Sequence, residues 1–470
     1  MKRPDISWLT GNLDLPGAGK WLFLGVLVGL VSGISAVAFQ FGLQVIREIC
    51  LTSLMGLDLG TPGGEPPELG LAVGPFTPYL IILIPAIGGL LSGLLVYRFA
   101  PQAEGAGADA AIHAYHRGHG RILPKVSFIK LAASAVTIGT GGSGGREGPI
   151  AQIGAGFGSF LATRLGLSAR DRRLLLAAGI AGGVGAIFRA PLAGAIFAAE
   201  VLYSSAEVEA DVLLPAMVSS IVAYAVYASR FGWGHMFTGA GLYGFSNPWE
   251  LVPYLALAFV VSGAALLYIR AFHGVKGLFA RSSLPLPFRP MLGGAITGLF
   301  ALCLMTLFGQ TRYLGDVLSS GYGIIQRVID TDGLGVPTLF LVSVALGKIA
   351  TTAFSIGSGG SGGVFGPSMV IGATLGAAVG SLFHALMPEV VAHPMTFAMV
   401  GMAGFFTATA KTPISTIIMV SELTGNYELL IPSMWVCVFA FLLTQGRTIY
   451  RNQIPSRTSS ANLTSGTPLP

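Results

Sequence analysis

Two stretches decide the fold: Lys130–Gly158, KLAASAVTIGTGGSGGREGPIAQIGAGFG, and Lys348–Gly376, KIATTAFSIGSGGSGGVFGPSMVIGATLG. They align without a gap at an offset of 218 residues, with sixteen identities in twenty-nine positions. After a four-residue shift the match resumes, and Gly179, Ala181, Gly182, Pro191, Ile196 and Glu200 answer Gly401, Ala403, Gly404, Pro413, Ile418 and Glu422. Such a repeat means that one unit of structure is built twice. Its glycine clusters and prolines interrupt apolar segments, which is the pattern of a transporter with its site at the repeat interface near the bilayer midplane. Identity alone leaves open whether the copies run parallel or inverted.

The solvent of this chain is lipid. Of its 470 residues 53% are hydrophobic and 10% charged, with mean hydropathy +0.72, where a soluble domain carries about 25% charged residues. Apolar runs near 21–47, 78–99, 252–271, 290–308 and 429–446 suit a hydrocarbon layer of about 30 Å. Shorter runs at 126–138, 150–165 and 395–406, bounded by glycine and proline, are too short to cross and predict broken or half-crossing helices. The 67 glycines are about twice the usual share. Non-helical backbone at membrane depth is tolerated where it is buried in protein or lines a watery path. The expected fold is an all-α polytopic membrane protein.

The formal charge of +6 does not point to nucleic acid. Basic residues fall in short interhelical clusters, namely Arg117, Arg121 and Lys125; Arg164, Arg170, Arg172 and Arg173; and Arg447, Arg451 and Arg457. The stretch 51–97 holds acids and neither Lys nor Arg. By the positive-inside rule both chain ends are cytoplasmic. Residues 1–20 read as a cytoplasmic segment with no cleaved signal. Residues 21–455 are expected to form one membrane domain with halves at about 21–235 and 250–455, and 456–470 a cytoplasmic tail. The scattered Cys50, Cys303 and Cys437 have no ligand spacing and are assigned to packing.

The repeat carries its chemistry at its centre. Pro149 and Pro367 belong in the first turn of a helix, so each half aims a helix N-terminus at the interior. An N-terminus offers free N–H groups and roughly half a positive charge, a site for a small anion without a fixed cation. Glu147 breaks the symmetry, since its counterpart is Phe365. A carboxylate just ahead of that helix can occupy the place of the free anion and vacate it on protonation or swinging out. The bland alternative is a helix cap; an ionisable residue at membrane depth favours function. Arg146 is either a fixed substrate-binding cation or, as favoured here, a snorkelling side chain that steers anions.

Other candidates carry less. Glu200 has a counterpart in Glu422, and the duplication favours a buried carboxylate satisfying backbone N–H groups over a proton relay. Asp109, His113, His116 and His119 have spacings near those of helix-borne metal ligands, which keeps an intramembrane metalloenzyme as a remote alternative. An interfacial helix is the first reading, and the chain is not expected to be an enzyme or to need a cofactor. The glycine loops lack the Lys-Ser or Lys-Thr of a nucleotide loop. An organic-anion transporter would need a larger site with several fixed cations.

The motifs GGREGP around Glu147, GGVFGP around Phe365, AxxAAE ending at Glu200 and the tail 447–450 together resemble the CLC family of chloride channels and proton/chloride exchangers, over about 21–457. The resemblance implies a multi-pass protein, here expected in a bacterial inner membrane. It also implies a homodimer with one pore per subunit, built from two inverted halves of tilted and broken helices. It implies that Glu147 is the external gate, that Val364 and Phe365 are backbone donors to the central anion, and that Tyr450 closes the inner side. The surrounding motif residues Gly107, Gly145, Arg146, Gly148 and Gly366 complete the expected anion-binding set. The chain departs from the family at Ala106, where a serine hydroxyl usually contacts the anion. It departs again at Val201, where exchangers often carry an internal glutamate. The expectation is transport of chloride or a similar small anion as a channel, with a proton-coupled antiporter using Glu147 as the alternative.

Overall fold

The computed structural model describes residues 18–245, 247–308 and 314–459, and the expected segments 1–20 and 456–470 lie largely outside the described residues. The described chain is helical, with three isolated bridges and no named strand among those residues. The first half comprises α1 (Ala18–Arg47), α2 (Pro78–Phe99), α3 (Gly107–His116), α4 (Pro124–Gly139), α5 (Glu147–Arg164), α6 (Ala169–Ile187), α7 (Pro191–Glu200) and α8 (Ala210–Phe231). The second comprises α9 (Leu251–Arg281), α10 (Phe288–Phe308), α11 (Tyr322–Asp330), α12 (Thr338–Gly357), α13 (Phe365–Leu386), α14 (Pro394–Ala410), α15 (Pro413–Thr424) and α16 (Leu430–Leu443).

Seven helical segments among the described residues are long and apolar enough to span a membrane. Four match expected runs. The run expected at 429–446 is instead a helix of 14 residues, too short to cross. Three long helices, α8, α12 and α13, escape a reading by apolar runs because serine, threonine and glycine dilute them. In α12 those polar groups are satisfied inside the protein: Thr351 donates to the Val317 carbonyl at 2.9 Å, and the Ser355 and Thr297 hydroxyls lie 2.9 Å apart. The expected short pieces are present as α4, α5 and α14, of 16, 18 and 17 residues.

The repeat becomes a two-fold relation in space. In the first half α5 crosses α6 where a Cβ on Gly154 would lie 2.1 Å from the Gly179 carbonyl oxygen. In the second, α13 crosses α14 where a Cβ on Gly372 would lie 2.4 Å from the Gly401 oxygen. These four glycines are repeat mates, and no larger residue permits either crossing. At the centre Gly145 and Gly363, also mates, form an antiparallel bridge: each N–H donates to the other's carbonyl, at 2.8 and 2.7 Å. Such an exchange between equivalent residues places the symmetry axis between them.

Glu200 and Glu422 show the same reciprocity. Glu200, at the end of α7, accepts from the N–H groups of Ile414 and Ser415 at the start of α15, at 3.0 and 2.8 Å. Glu422, near the end of α15, accepts from Leu192 and Ala193 at the start of α7, at 3.3 and 2.8 Å. Each half therefore caps a helix of the other with a carboxylate at a positive N-terminus. The halves are inverted repeats of tilted and broken helices, as the fold class expected from the sequence has it.

Candidate functional site

The N-termini of α5 and α13 meet at the Gly145–Gly363 bridge, which brings Glu147 and Phe365 to the middle of the structure. Glu147 is 1% exposed. One carboxyl oxygen, Oε2, accepts from the Gly366 N–H of the opposite half at 3.2 Å. The other, Oε1, accepts from the Tyr322 hydroxyl. A Cβ on Gly145 would lie 2.3 Å from Oε2 and 2.5 Å from the Gly366 nitrogen, and one on Gly366 would lie 2.8 Å from the Tyr322 oxygen. Glycine at these positions leaves a cradle that fits one small negative group, and the side chain of Glu147 fills it.

Arg146 does not reach an interface. Its guanidinium is 3% exposed and clamps Glu65 in two-pronged fashion at 2.6 and 2.8 Å, with a further bond to Gln40 Oε1 at 2.6 Å. Its Nε lies 3.8 Å from Glu147 Oε1. The reason is the segment between α1 and α2. Glu48, beyond α1, accepts from the N–H groups of Glu68 and Leu69 at 2.6 and 3.0 Å, folding that segment over the centre so that Glu65 meets Arg146. Most of the Arg146 charge is thereby offset within the protein.

On the opposite side of the centre lies a cavity of about 520 Å³ lined by Ala106, Asp109, His113, Arg121, His273 and Lys276, among others. Ala106 caps α3 and bridges to Gly362. Gly107 sits so close beneath Gly148 that a Cβ would lie 2.4 Å from the Gly148 oxygen. Tyr450 is buried and lies within electrostatic reach of both Glu147 and Asp109. Asp109 accepts from the backbone and side-chain N–H of Asn452, both at 2.9 Å, which ties α3 to the segment carrying Tyr450. Val364 caps α13, and its carbonyl accepts from the Tyr268 hydroxyl at 3.3 Å. The Phe365 ring packs against Phe188 and Phe406, with centroids 4.5 and 3.6 Å away. Thus Ala106, Gly107, Gly145, Arg146, Glu147, Gly148, Val364, Phe365, Gly366 and Tyr450 gather around one centre.

The His113 group does not gather. His113 lines the cavity, while His116 is buried with Nε2 2.9 Å from the Leu202 carbonyl. Asp109 is committed to Asn452, and no cluster of three or more His, Cys, Asp or Glu able to hold a metal occurs among the described residues.

Four residues of the centre were not singled out from the sequence. Tyr322 and Glu65 come from segments outside the repeat and carried no signal. Lys130 and Lys348 open the two aligned stretches and did carry one. Both are fully buried. Lys130 donates to the carbonyls of Ala103 and Gly105 at 3.0 and 2.6 Å, and Lys348 to Asp316 and Ser319 at 3.1 and 2.8 Å. Each uses its amino group to gather the carbonyls of an irregular segment beside the centre, which supplies a buried polar group with its hydrogen bonds. Val201 is 1% exposed, and its carbonyl accepts from Gln453 at 3.0 Å.

A family model described as voltage gated chloride channel matches residues 88–445. The chain is 32% identical over 365 residues, 77% of its length and 81% of the other's, to a protein of Ralstonia nicotianae called a putative chloride channel protein ClcB-like. It is 30% identical over 449 residues, 93% of its length and 89% of the other's, to an H(+)/Cl(-) exchange transporter ClcA of Vibrio cholerae. In structure it is similar to a slow cyanobacterial Cl-/H+ antiporter, with TM-score 0.75, 22% identity and coverage of 92% of this chain and 96% of that one. A CLC-type fluoride/proton antiporter gives TM-score 0.72 at 21% identity, covering 95% and 99%.

Proposed function

We propose that this chain, which belongs to the CLC (voltage gated chloride channel) family of integral membrane proteins, exchanges chloride for protons. The observation that carries the reading is the Glu147 carboxyl seated in the glycine cradle between the two halves, accepting the Gly366 N–H at 3.2 Å. A carboxylate held by a helix N-terminus occupies the place of a free anion. Protonation removes the charge that holds it there, so the carboxyl leaves and chloride takes its donors. When chloride moves on, the carboxylate returns after giving up its proton. Chloride and the Glu147 carboxylate thus compete for one set of N–H groups, and proton binding decides which of them holds it, which couples the movement of the anion to that of the proton.

Chloride reaches the centre from the cavity beside Ala106, passing Tyr450. Between Ala106 and Gly366 it is held by the backbone N–H groups that follow Val364 and Gly145, with Ala106 supplying no hydroxyl. Val201 had favoured a channel. The long match to a relative named an exchanger, together with a side chain built to compete with the anion, favours exchange instead. We further assign the protein to a bacterial inner membrane, with both ends cytoplasmic by the distribution of Lys and Arg, and to a homodimer.

The test is chloride efflux from proteoliposomes with simultaneous recording of external pH, for the parent and for Glu147→Gln. Exchange gives proton entry driven by chloride exit in the parent, and chloride movement without proton movement in Glu147→Gln. Chloride efflux with no proton movement in the parent refutes exchange and returns the protein to the channel reading.

A further inference from the structure

We infer that Tyr322 is the positioning residue for the Glu147 gate: its hydroxyl holds the carboxylate in the anion's place and sets how readily that carboxylate leaves. The inference rests on the exchange reading given above and concerns a residue outside the repeated motif.

The two oxygens of Glu147 have separate donors. Gly366 N–H serves Oε2, and it belongs to a backbone that presents it to any anion in the cradle. The Tyr322 hydroxyl serves Oε1, and it exists because one side chain of α11 reaches the centre. Tyr322 is the first residue of α11 and follows Gly321, whose φ of +77° suits glycine. A Cβ on Gly321 would also lie 2.2 Å from the Asp316 carbonyl oxygen and 2.8 Å from Lys348 Nζ, so the approach of α11 to the centre is fixed.

The ring has little freedom to withdraw. Tyr322 is 3% exposed, the Phe237 ring meets it edge-on at 6.0 Å, and the Arg146 guanidinium lies 5.5 Å from its centroid. Arg146 is in turn immobilised by Glu65 and Gln40. A clamped donor aimed at one carboxylate oxygen costs little entropy to keep in place and gives a charge-assisted bond, stronger than a neutral one. That bond is broken each time the gate opens. The charged and titratable groups facing the pair are Arg146 with Glu65, Tyr450, and behind Gly321 Lys348 with Asp316. None of these is changed by removing the hydroxyl.

The experiment compares the parent, Tyr322→Phe, Glu147→Ala and the double variant in the same proteoliposomes over a series of external pH values. Losing the hydroxyl weakens the hold on the charged form. Chloride turnover in Tyr322→Phe is therefore expected to rise about tenfold, and the pH of half-maximal flux to move up by about one unit. In the Glu147→Ala background the same substitution is expected to change neither quantity, because the group it acts through is gone. Equal changes in both backgrounds, changes in neither, or a change confined to Glu147→Ala each overturn the inference. If Tyr322→Phe does not fold, Tyr322→Met is read by the same two-background comparison. Failure of the exchange reading shows separately, as chloride efflux without proton movement in the parent.

Discussion

Replacing Glu200 tests whether a buried carboxylate in this fold is a cap or a relay. Glu200 is fully buried and accepts three bonds: the N–H groups of Ile414 and Ser415 and the Ser415 hydroxyl, at 3.0, 2.8 and 2.6 Å. Glu200→Leu removes both acceptor oxygens and all three bonds. The hydroxyl has a second acceptor in the Thr412 carbonyl at 3.5 Å, so two N–H groups are left orphaned at about 1–3 kcal/mol each, roughly 2–6 kcal/mol together. Glu200→Gln keeps one acceptor oxygen and turns an amide N–H₂ toward the other donor, for a loss of about 1–3 kcal/mol. Glu422→Gln makes the corresponding change at the start of α7. There Glu422 is only partly buried and its bond from the Leu192 N–H is long, at 3.3 Å, so the loss is at most about 1 kcal/mol.

Unfolding entropy of about 2.1 cal/mol/K per residue gives about 1 kcal/mol/K for a chain of this size, so each kcal/mol lowers the melting temperature by roughly 1 °C. The expected order of melting temperatures in detergent is parent, Glu422→Gln, Glu200→Gln, Glu200→Leu. Chloride flux and proton coupling in Glu200→Gln should match the parent. A Glu200→Gln protein that melts with the parent and loses proton movement refutes the reasoning and makes Glu200 a proton relay.

Two further substitutions follow. Gly145→Ala places a Cβ 2.5 Å from the Gly366 nitrogen and is expected to destabilise by about 1–3 kcal/mol through overpacking. Gly263→Ala in α9, where nothing lies within 4 Å of the new atom, should gain about 0.5–1 kcal/mol of helix stability; equal melting temperatures for the two would remove the argument for a tight cradle. Ala106→Ser adds a hydroxyl beside the expected anion path, and a hydrogen bond to a charged group predicts chloride binding about tenfold tighter by titration calorimetry, whereas unchanged affinity means Ala106 does not face the anion.

The repeat made the centre legible. It placed two helix N-termini, singled out Glu147 as the residue that breaks symmetry, and paired Glu200 with Glu422 in the capping role their geometry now displays. Resemblance to a family supplied Tyr450 and the Ala106 segment, which no periodicity marks. What stayed hidden has a common physical cause. Tyr322 and Glu65 act across the fold, from segments whose approach is set by packing against α12, α13 and the extension of α1. Arg146 was expected at an interface because a long cation pays heavily for burial. Its partner lies 81 positions earlier in the chain, and nothing local announces that pairing. Helices α8, α12 and α13 are hard to read as spans because serine, threonine and glycine dilute their apolar runs; in α12 the Thr351 and Ser355 hydroxyls bond to neighbours that only the folded protein supplies.

The reciprocal caps also constrain how the protein is made. Leu192 and Glu422 are separated by 230 positions, so when α7 leaves the ribosome the carboxylate that terminates it does not yet exist. At about 5–20 residues per second that interval is roughly 10–50 s. The first half waits with an unpaired Gly145 backbone until Gly363 is made, and with an uncapped helix end until Glu422 is made late in the second half. The two halves therefore complete one another only near the end of translation, and truncation of the chain ahead of residue 422 leaves neither half with a finished structure.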